Sequence, residues 1–247
     1  MSRINPSLNL KDIKDEYDQN GKFVIIRDFL AKDYADKIRD FYQKSHMDEW
    51  WTWMLFPEPD LLPEGKYESS ILKNTPENKK KIEEKRKHLA QIRDAGQCFT
   101  YLYQRVFYGD HWEYCECDEC DNWKGFLIQP VFLDLLEEIT GHKELRAGEL
   151  FSSRLQKGDW NGPHHDIDKG RVTMVLNLSE GFKPEDGGAF YAMEEDYCTV
   201  KAFEPPTYNS LVIFDVSKRE GGAVGMPHVV TPLKADKERL AITGWFL

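Results

Sequence analysis

The chain has no apolar run of membrane-spanning length, and its start, Met1-Ser-Arg-Ile-Asn-Pro-Ser-Leu8, lacks the hydrophobic stretch of a secretory leader. A basic excess is also missing: 33 Lys and Arg face 43 Asp and Glu, for a net charge of −10 and a pI near 5.3. Nucleic-acid affinity depends on cations that neutralise phosphates, so this balance speaks against a nucleic-acid substrate. It leaves room for a basic peptide or protein, which an acidic surface attracts. No internal repeat and no low-complexity linker is visible. Only five cysteines occur, and the simplest reading is a cytoplasmic protein with reduced thiols and no membrane partner. At 247 residues, 40% hydrophobic and 13% aromatic, the chain can bury a sizeable core within one domain.

The chemistry concentrates late in the chain. His164-His165-Asp166 is followed 64 residues after His164 by His228, and then by Arg239 close to the end. His-x-Asp supplies an imidazole and a carboxylate from one strand-to-loop corner, and a distant His can complete the set. Two imidazoles and one carboxylate on one face of an octahedron leave three open positions, which suits non-haem Fe(II). His165 lies between the ligands, so alternation turns it away from them, towards the surface or a supporting place. A lone His-x-Asp is common by chance; the order and spacing of the whole set make it specific.

Strand signals surround this set. Arg171–Leu178 is a β-branched run with a period of two, a further strand follows Gly187-Gly188, and others are read at 209–214 and 239–246. On the last, Arg239, Ala241, Thr243 and Trp245 share one face. A guanidinium there can hold a carboxylate through two parallel hydrogen bonds. The first half reads as more helical. Residues 22–30 form a buried strand entering a loop, and a helix carries Tyr34, Ile38, Phe41 and Tyr42 on one face. Thr75-Pro76-Glu77 starts a helix running to about Arg93, with an apolar stripe of Ile82, Leu89 and Ile92. A third helix spans Pro130 to Thr140 and stops at Gly141. The aromatic segment Trp50–Phe56 reads as an element packed on the core, with a lid over the substrate as the alternative.

The stretch Leu150–Leu247 resembles the catalytic core of the Fe(II)- and 2-oxoglutarate-dependent dioxygenases, in their prolyl-hydroxylase-like branch. The likeness rests on His164 and Asp166, Gly187-Gly188, His228, and Arg239 with the ending Leu-Ala-Ile-Thr-Gly-Trp-Phe246. That ending is similar to the ribosomal-protein prolyl hydroxylases. The resemblance implies an α+β fold with a mainly β core, a double-stranded β-helix (jelly-roll) covered by N-terminal helices. Within a single domain, residues 1–148 would be helical support with a strand, and 149–247 the jelly-roll. It implies Fe(II) on His164, Asp166 and His228, with 2-oxoglutarate as cosubstrate and dioxygen as co-reactant; ascorbate is an optional reductant. The far carboxylate of 2-oxoglutarate would pair with Arg239, helped by Thr243 and Asn177. Many prolyl hydroxylases place a Tyr where alignment through Val172-Thr173 puts Asn177, a shorter hydrogen-bonding group. Asp166 also separates a hydroxylase from related halogenases, which lose this carboxylate.

The implied reaction is hydroxylation of a prolyl residue in a peptide or protein. A free amino acid is the alternative substrate, with Arg154 and Trp160 as candidate contacts. The competing classes are a non-catalytic jelly-roll that binds a ligand, and a cupin-type metalloenzyme independent of 2-oxoglutarate. One further cluster stands apart: His111, Cys115, Cys117 and Cys120 could form a Cys₃His zinc site. Cys-x-Cys spacing places neighbouring thiolates awkwardly for a tetrahedron, so free thiols in a surface loop are the preferred reading. Cys98 and Cys198 read as packed, inert residues.

Overall fold

The computed structural model describes residues 3–43, 48, 50–60, 65–96, 98–107, 126–217 and 225–247. The candidate zinc cluster, His111 to Cys120, lies outside them. Among the described residues, no helix is long and apolar enough to cross a membrane.

Antiparallel strands make up the centre. In chain order they are β1 (Phe23–Ile26), β2 (Thr52–Phe56), β3 (Ser70–Lys73), β4 (Tyr101–Phe107), β5 (Ala147–Leu155) and β6 (Trp160–His164). There follow β7 (Val172–Asn177), β8 (Phe190–Met193), β9 (Val200–Glu204), β10 (Ser210–Asp215), β11 (His228–Val230) and β12 (Arg239–Phe246). The larger sheet runs β1-β10-β7-β12-β5-β4 and continues through β2 to β3; the smaller runs β6-β11-β8-β9. Residues Tyr101 and Leu102 of β4 pair with Asn161 and Trp160 of β6 and join the two. The result is a jelly-roll.

Alternation along the strands gives the sheet two distinct faces. Val172, Met174 and Leu176 of β7, with Leu240, Ile242 and Phe246 of β12, join a core shared with the helices. Val175, Ala241 and Trp245, from the opposite faces of the same strands, pack with Phe190 and Val230 of the smaller sheet. The helices in the first core are α1 (Leu10–Gln19), α2 (Lys32–Tyr42) and α4 (Pro130–Thr140). Each has a local cause. Asn9 caps α1 by accepting from the Lys11 backbone N–H, and Gly141 ends α4 in the left-handed region at φ 80°. Helix α3 (Pro76–Asp94) begins as the sequence indicates, with the Thr75 hydroxyl accepting from Asn78 N and Pro76 at the first helical position. Its stripe of Ile82, Leu89 and Ile92 covers a third cluster with Trp53, Leu55, Leu102 and Trp160.

One expectation changes and one holds. The first half carries four strands, β1 to β4, rather than one. The aromatic segment Trp50–Phe56 supplies β2, in the wall of the sheet: Trp53 and Leu55 face α3, and only Met54 reaches the interior cavity. Helix α1 and strand β9 were not anticipated from the sequence; Asn9 and the spacing of Leu10, Ile13 and Tyr17 are the signals that α1 offered.

Candidate active site

Between the two sheets lies a cavity of about 490 Å³. His164 ends β6, Asp166 follows in the loop, and His228 opens β11. His164 and His228 are direct partners across the β6–β11 pair, so their ring centroids lie 4.1 Å apart. One donor atom from each of His164, Asp166 and His228 can be chosen so that all lie within 4.8 Å of one another. His164 Nε2 is 3.7 Å from Asp166 Oδ1, and His228 Nε2 is 3.6 Å from Asp166 Oδ2.

The backbone sets the tautomers. His164 Nδ1 lies 2.8 Å from the Gly162 carbonyl and His228 Nδ1 3.2 Å from the Met226 carbonyl. A carbonyl only accepts, so each Nδ1 carries the proton and each Nε2 turns a lone pair to the common centre. Burial, and next the neighbouring His228 imidazole, hold the His164 ring well below its usual value, which keeps it neutral and able to ligate. Asp166 stays ionised: burial would raise it, but the His228 and His164 imidazoles and hydrogen bonds from Trp245 and Thr173 outweigh that and lower it. Ligation through both Nε2 atoms and an Asp166 oxygen would give two imidazoles and one carboxylate, a donor set suited to a borderline divalent cation. His165 is exposed at the cavity wall, apart from this set of donors.

A second feature lines the same cavity. Arg239 is 3% exposed, and its Nε has no hydrogen-bond partner. Among the described residues no carboxylate lies in ion-pair range of it; Nη2 donates to Asn177 Oδ1 at 3.2 Å. Burial without a counter-ion lowers its pKa to about 10. An uncompensated buried guanidinium is costly, and an anionic ligand would remove the cost. Gly187 and Gly188 make room for this corner. Both have positive φ, a Cβ on Gly187 would sit 2.1 Å from the Pro232 carbonyl, and one on Gly188 would press on Arg239 Cδ at 3.3 Å.

The sequence-expected residues divide clearly. Thr243 lines the cavity with Arg239, four residues along on the same face of β12. Asn177 is absent from the lining; it sits behind Arg239 as a hydrogen-bond acceptor and donates to Ser210 Oγ at 3.2 Å. Ser210 in turn reaches Glu204, which is paired with Arg27, so the cation is held by a polar chain running through the barrel wall. Arg154 and Trp160, named as candidate substrate contacts, do not reach the cavity. Strand parity turns both outward: Arg154 bonds Gln104 at 2.6 Å over the Trp51 ring, and Trp160 Nε1 donates to Thr100 Oγ1 at 2.9 Å. Missed in the sequence were Tyr101, Tyr103 and Arg105 of β4, which line the cavity from one face. Their alternating spacing was the available signal, and an aromatic ladder from them runs through Phe99 to the His164 ring, 5.4 Å away.

Comparison with known proteins agrees with this geometry. The family model described as "2OG-Fe(II) oxygenase superfamily" matches residues 150–247. No curated protein matches the chain. Among solved structures, a 2OG-Fe(II) oxygenase-family oxidoreductase from Burkholderia pseudomallei is similar at TM-score 0.58 and 12% identity, covering 99% of this chain and 92% of that one. A Pseudomonas putida prolyl-4-hydroxylase is similar at TM-score 0.54 and 19% identity, covering 96% and 98%. A Trichoplax adhaerens prolyl hydroxylase, solved with a hypoxia inducible factor oxygen degradation domain peptide fragment, is similar at 0.57 and 16%, covering 96% and 88%. At such identities the structures speak for the fold, and the match over residues 150–247 speaks for the family. Residues 150–247 thus match the 2OG-Fe(II) oxygenase superfamily model, and this stretch carries both the His-Asp-His set and Arg239.

Proposed function

We propose that this protein is an Fe(II)- and 2-oxoglutarate-dependent dioxygenase that hydroxylates a prolyl residue of a peptide or protein. In this reading His164, Asp166 and His228 hold Fe(II), and Arg239 with Thr243 binds the far carboxylate of 2-oxoglutarate. The observation that carries it is Arg239: a buried cation with an unpartnered Nε, lining the same cavity as a His-Asp-His donor set. A metalloenzyme independent of 2-oxoglutarate has no use for that cation. Bound Fe(II) would supply the dioxygen activation that couples decarboxylation of 2-oxoglutarate, to succinate and carbon dioxide, with hydroxylation of a C–H bond.

The protein's own part is positional. Gly162 and Met226 carbonyls aim the imidazoles, and Asn177 holds Arg239 in place. Tyr101, Tyr103, Phe99 and Trp245 give the cavity an aromatic wall suited to an apolar ring such as proline. The net charge of −10 favours a basic peptide carrying that ring. The similarity of the C-terminal strand to prolyl hydroxylases points the same way. Cys98 is half-buried, while Cys198, read from the sequence as packed, is exposed; we retain the reading of a cytoplasmic setting with reduced thiols.

One observation favours a second substrate class. Arg105 and Glu149, paired at 3.3 Å, both line the cavity and would suit the opposite charges of a free amino acid. The deciding experiment incubates the Fe(II)-loaded enzyme and 2-oxoglutarate with proline-containing basic peptides and, separately, with free amino acids. Mass spectrometry then seeks a product heavier by one oxygen. A hydroxylated peptide supports the prolyl reading; a hydroxylated free amino acid, with the peptides unchanged, replaces it.

A further inference from the structure

Asp166 is held by more than its own strand corner. Trp245 Nε1 donates to Asp166 Oδ2 at 2.9 Å, and Thr173 Oγ1 donates to the same oxygen at 3.3 Å. The convergence is built into the sheet: Trp245 and Thr173 are direct partners across the β12–β7 pair, so both side chains rise from one spot on the inner face. The indole is itself held, against the Phe151 ring at a centroid distance of 5.1 Å. Two hydrogen bonds occupy the lone pairs of Oδ2, and the described residues bring no hydrogen bond to Oδ1.

We propose that Trp245 is the positioning residue of the metal centre, its indole N–H pinning Asp166 so that the carboxylate offers Oδ1 alone to the cation. A carboxylate free to rotate could present both oxygens and consume a coordination position that 2-oxoglutarate or dioxygen needs. This inference rests on the reading of His164, Asp166 and His228 as ligands, and the test separates the two. Partners of this kind, one bond removed from the ion, are worth roughly 10- to 100-fold in metal affinity.

The experiment titrates the metal-free protein with Co(II), following both affinity and the visible absorption bands that report coordination. Wild type, His228→Ala, Trp245→Phe and Thr173→Val are compared, with a thermal melt of each metal-free variant. Phenylalanine keeps a ring against Phe151 and removes the N–H, and the thermal melts report the loss of ring volume. The expected result is tight binding by wild type, none by His228→Ala, and roughly 10- to 100-fold weaker binding by Trp245→Phe with altered absorption bands. Wild-type affinity and spectrum in Trp245→Phe, beside a failing His228→Ala, overturn the role of Trp245 and leave the ligand assignment standing. Unimpaired binding by His228→Ala, or none by wild type, overturns the ligand assignment and this inference with it. If Trp245→Phe does not fold, Thr173→Val decides: a smaller loss with the same spectral change supports the inference, and wild-type behaviour overturns it.

Discussion

Replacing Arg239 with Met should separate two consequences of one buried charge. The guanidinium is fully buried, and lowering its pKa from 12.5 to about 10 costs the fold roughly 3 kcal/mol at neutral pH. Methionine keeps an unbranched stem and removes that cost. It also leaves Asn177 Oδ1 without its donor, at about 1–3 kcal/mol. The two nearly cancel, so ligand-free Arg239→Met should melt within a few degrees of wild type. Ligand binding should behave differently. Breaking a buried, doubly hydrogen-bonded ion pair costs about 3–5 kcal/mol, or roughly a hundred- to several-thousandfold in dissociation constant. The assay is a thermal melt with Mn(II) in place of Fe(II), to prevent turnover, with and without 2-oxoglutarate. At about a hundred times its dissociation constant, 2-oxoglutarate should stabilise wild type by about 2.7 kcal/mol, a rise of roughly 5–10 °C for a chain of this size. Arg239→Met should show almost no rise, and Arg239→Lys little, since an ammonium cannot present a planar fork. An undiminished rise in Arg239→Met would refute the reasoning.

Further outcomes follow from other contacts. Asn177→Ala should raise the 2-oxoglutarate KM about tenfold with little change in kcat, because Asn177 acts only through Arg239; equal kinetics to wild type would contradict this. Arg154→Ala should lower the melting temperature and leave both Michaelis constants unchanged, as its bonds go to Gln104 and Asp48 away from the cavity. Asp215 should make stability pH-dependent. Burial would raise its carboxyl, but hydrogen bonds from His142 and Ser217 hold it below 3.8. A lowered folded value adds stability that is complete above 3.8 and lost as pH falls through the folded value. Asp215→Asn should therefore melt earlier than wild type at pH 7, and the gap should narrow as pH falls below 3.8. Metal analysis of the purified protein should find no stoichiometric zinc, as the Cys115-x-Cys117 spacing suggests.

The strands of the second half were legible because their side chains alternate between two unlike environments. Arg239, Ala241, Thr243 and Trp245 could be assigned to one face, and the structure lines the cavity with Arg239, Thr243 and Trp245. Helices α3 and α4 were legible from Thr75-Pro76 and Gly141, whose backbone demands are local. What failed was anything depending on which element lies behind a residue. Asn177 has the right strand parity, but nothing in the chain order reveals that Arg239 reaches back to it. Trp160 and Arg154 flank the site in sequence, yet parity turns them into α3 and the Trp51 side. β4 was overlooked because its tyrosines arrive from residues 101–107, far from the metal-site pattern, through pairing with β5 and β6.

The central claim is that one cavity joins a His-Asp-His metal site to a 2-oxoglutarate anchor. It is tested most directly by measuring succinate from 2-oxoglutarate under dioxygen, with Fe(II) supplied, in wild type and in His228→Ala and Arg239→Met. Wild type should form succinate, His228→Ala none, and Arg239→Met should require far higher 2-oxoglutarate for any. No succinate from Fe(II)-loaded wild type, even with a hydroxylatable peptide or amino acid present, would contradict the account, as would succinate formation that survives loss of His228.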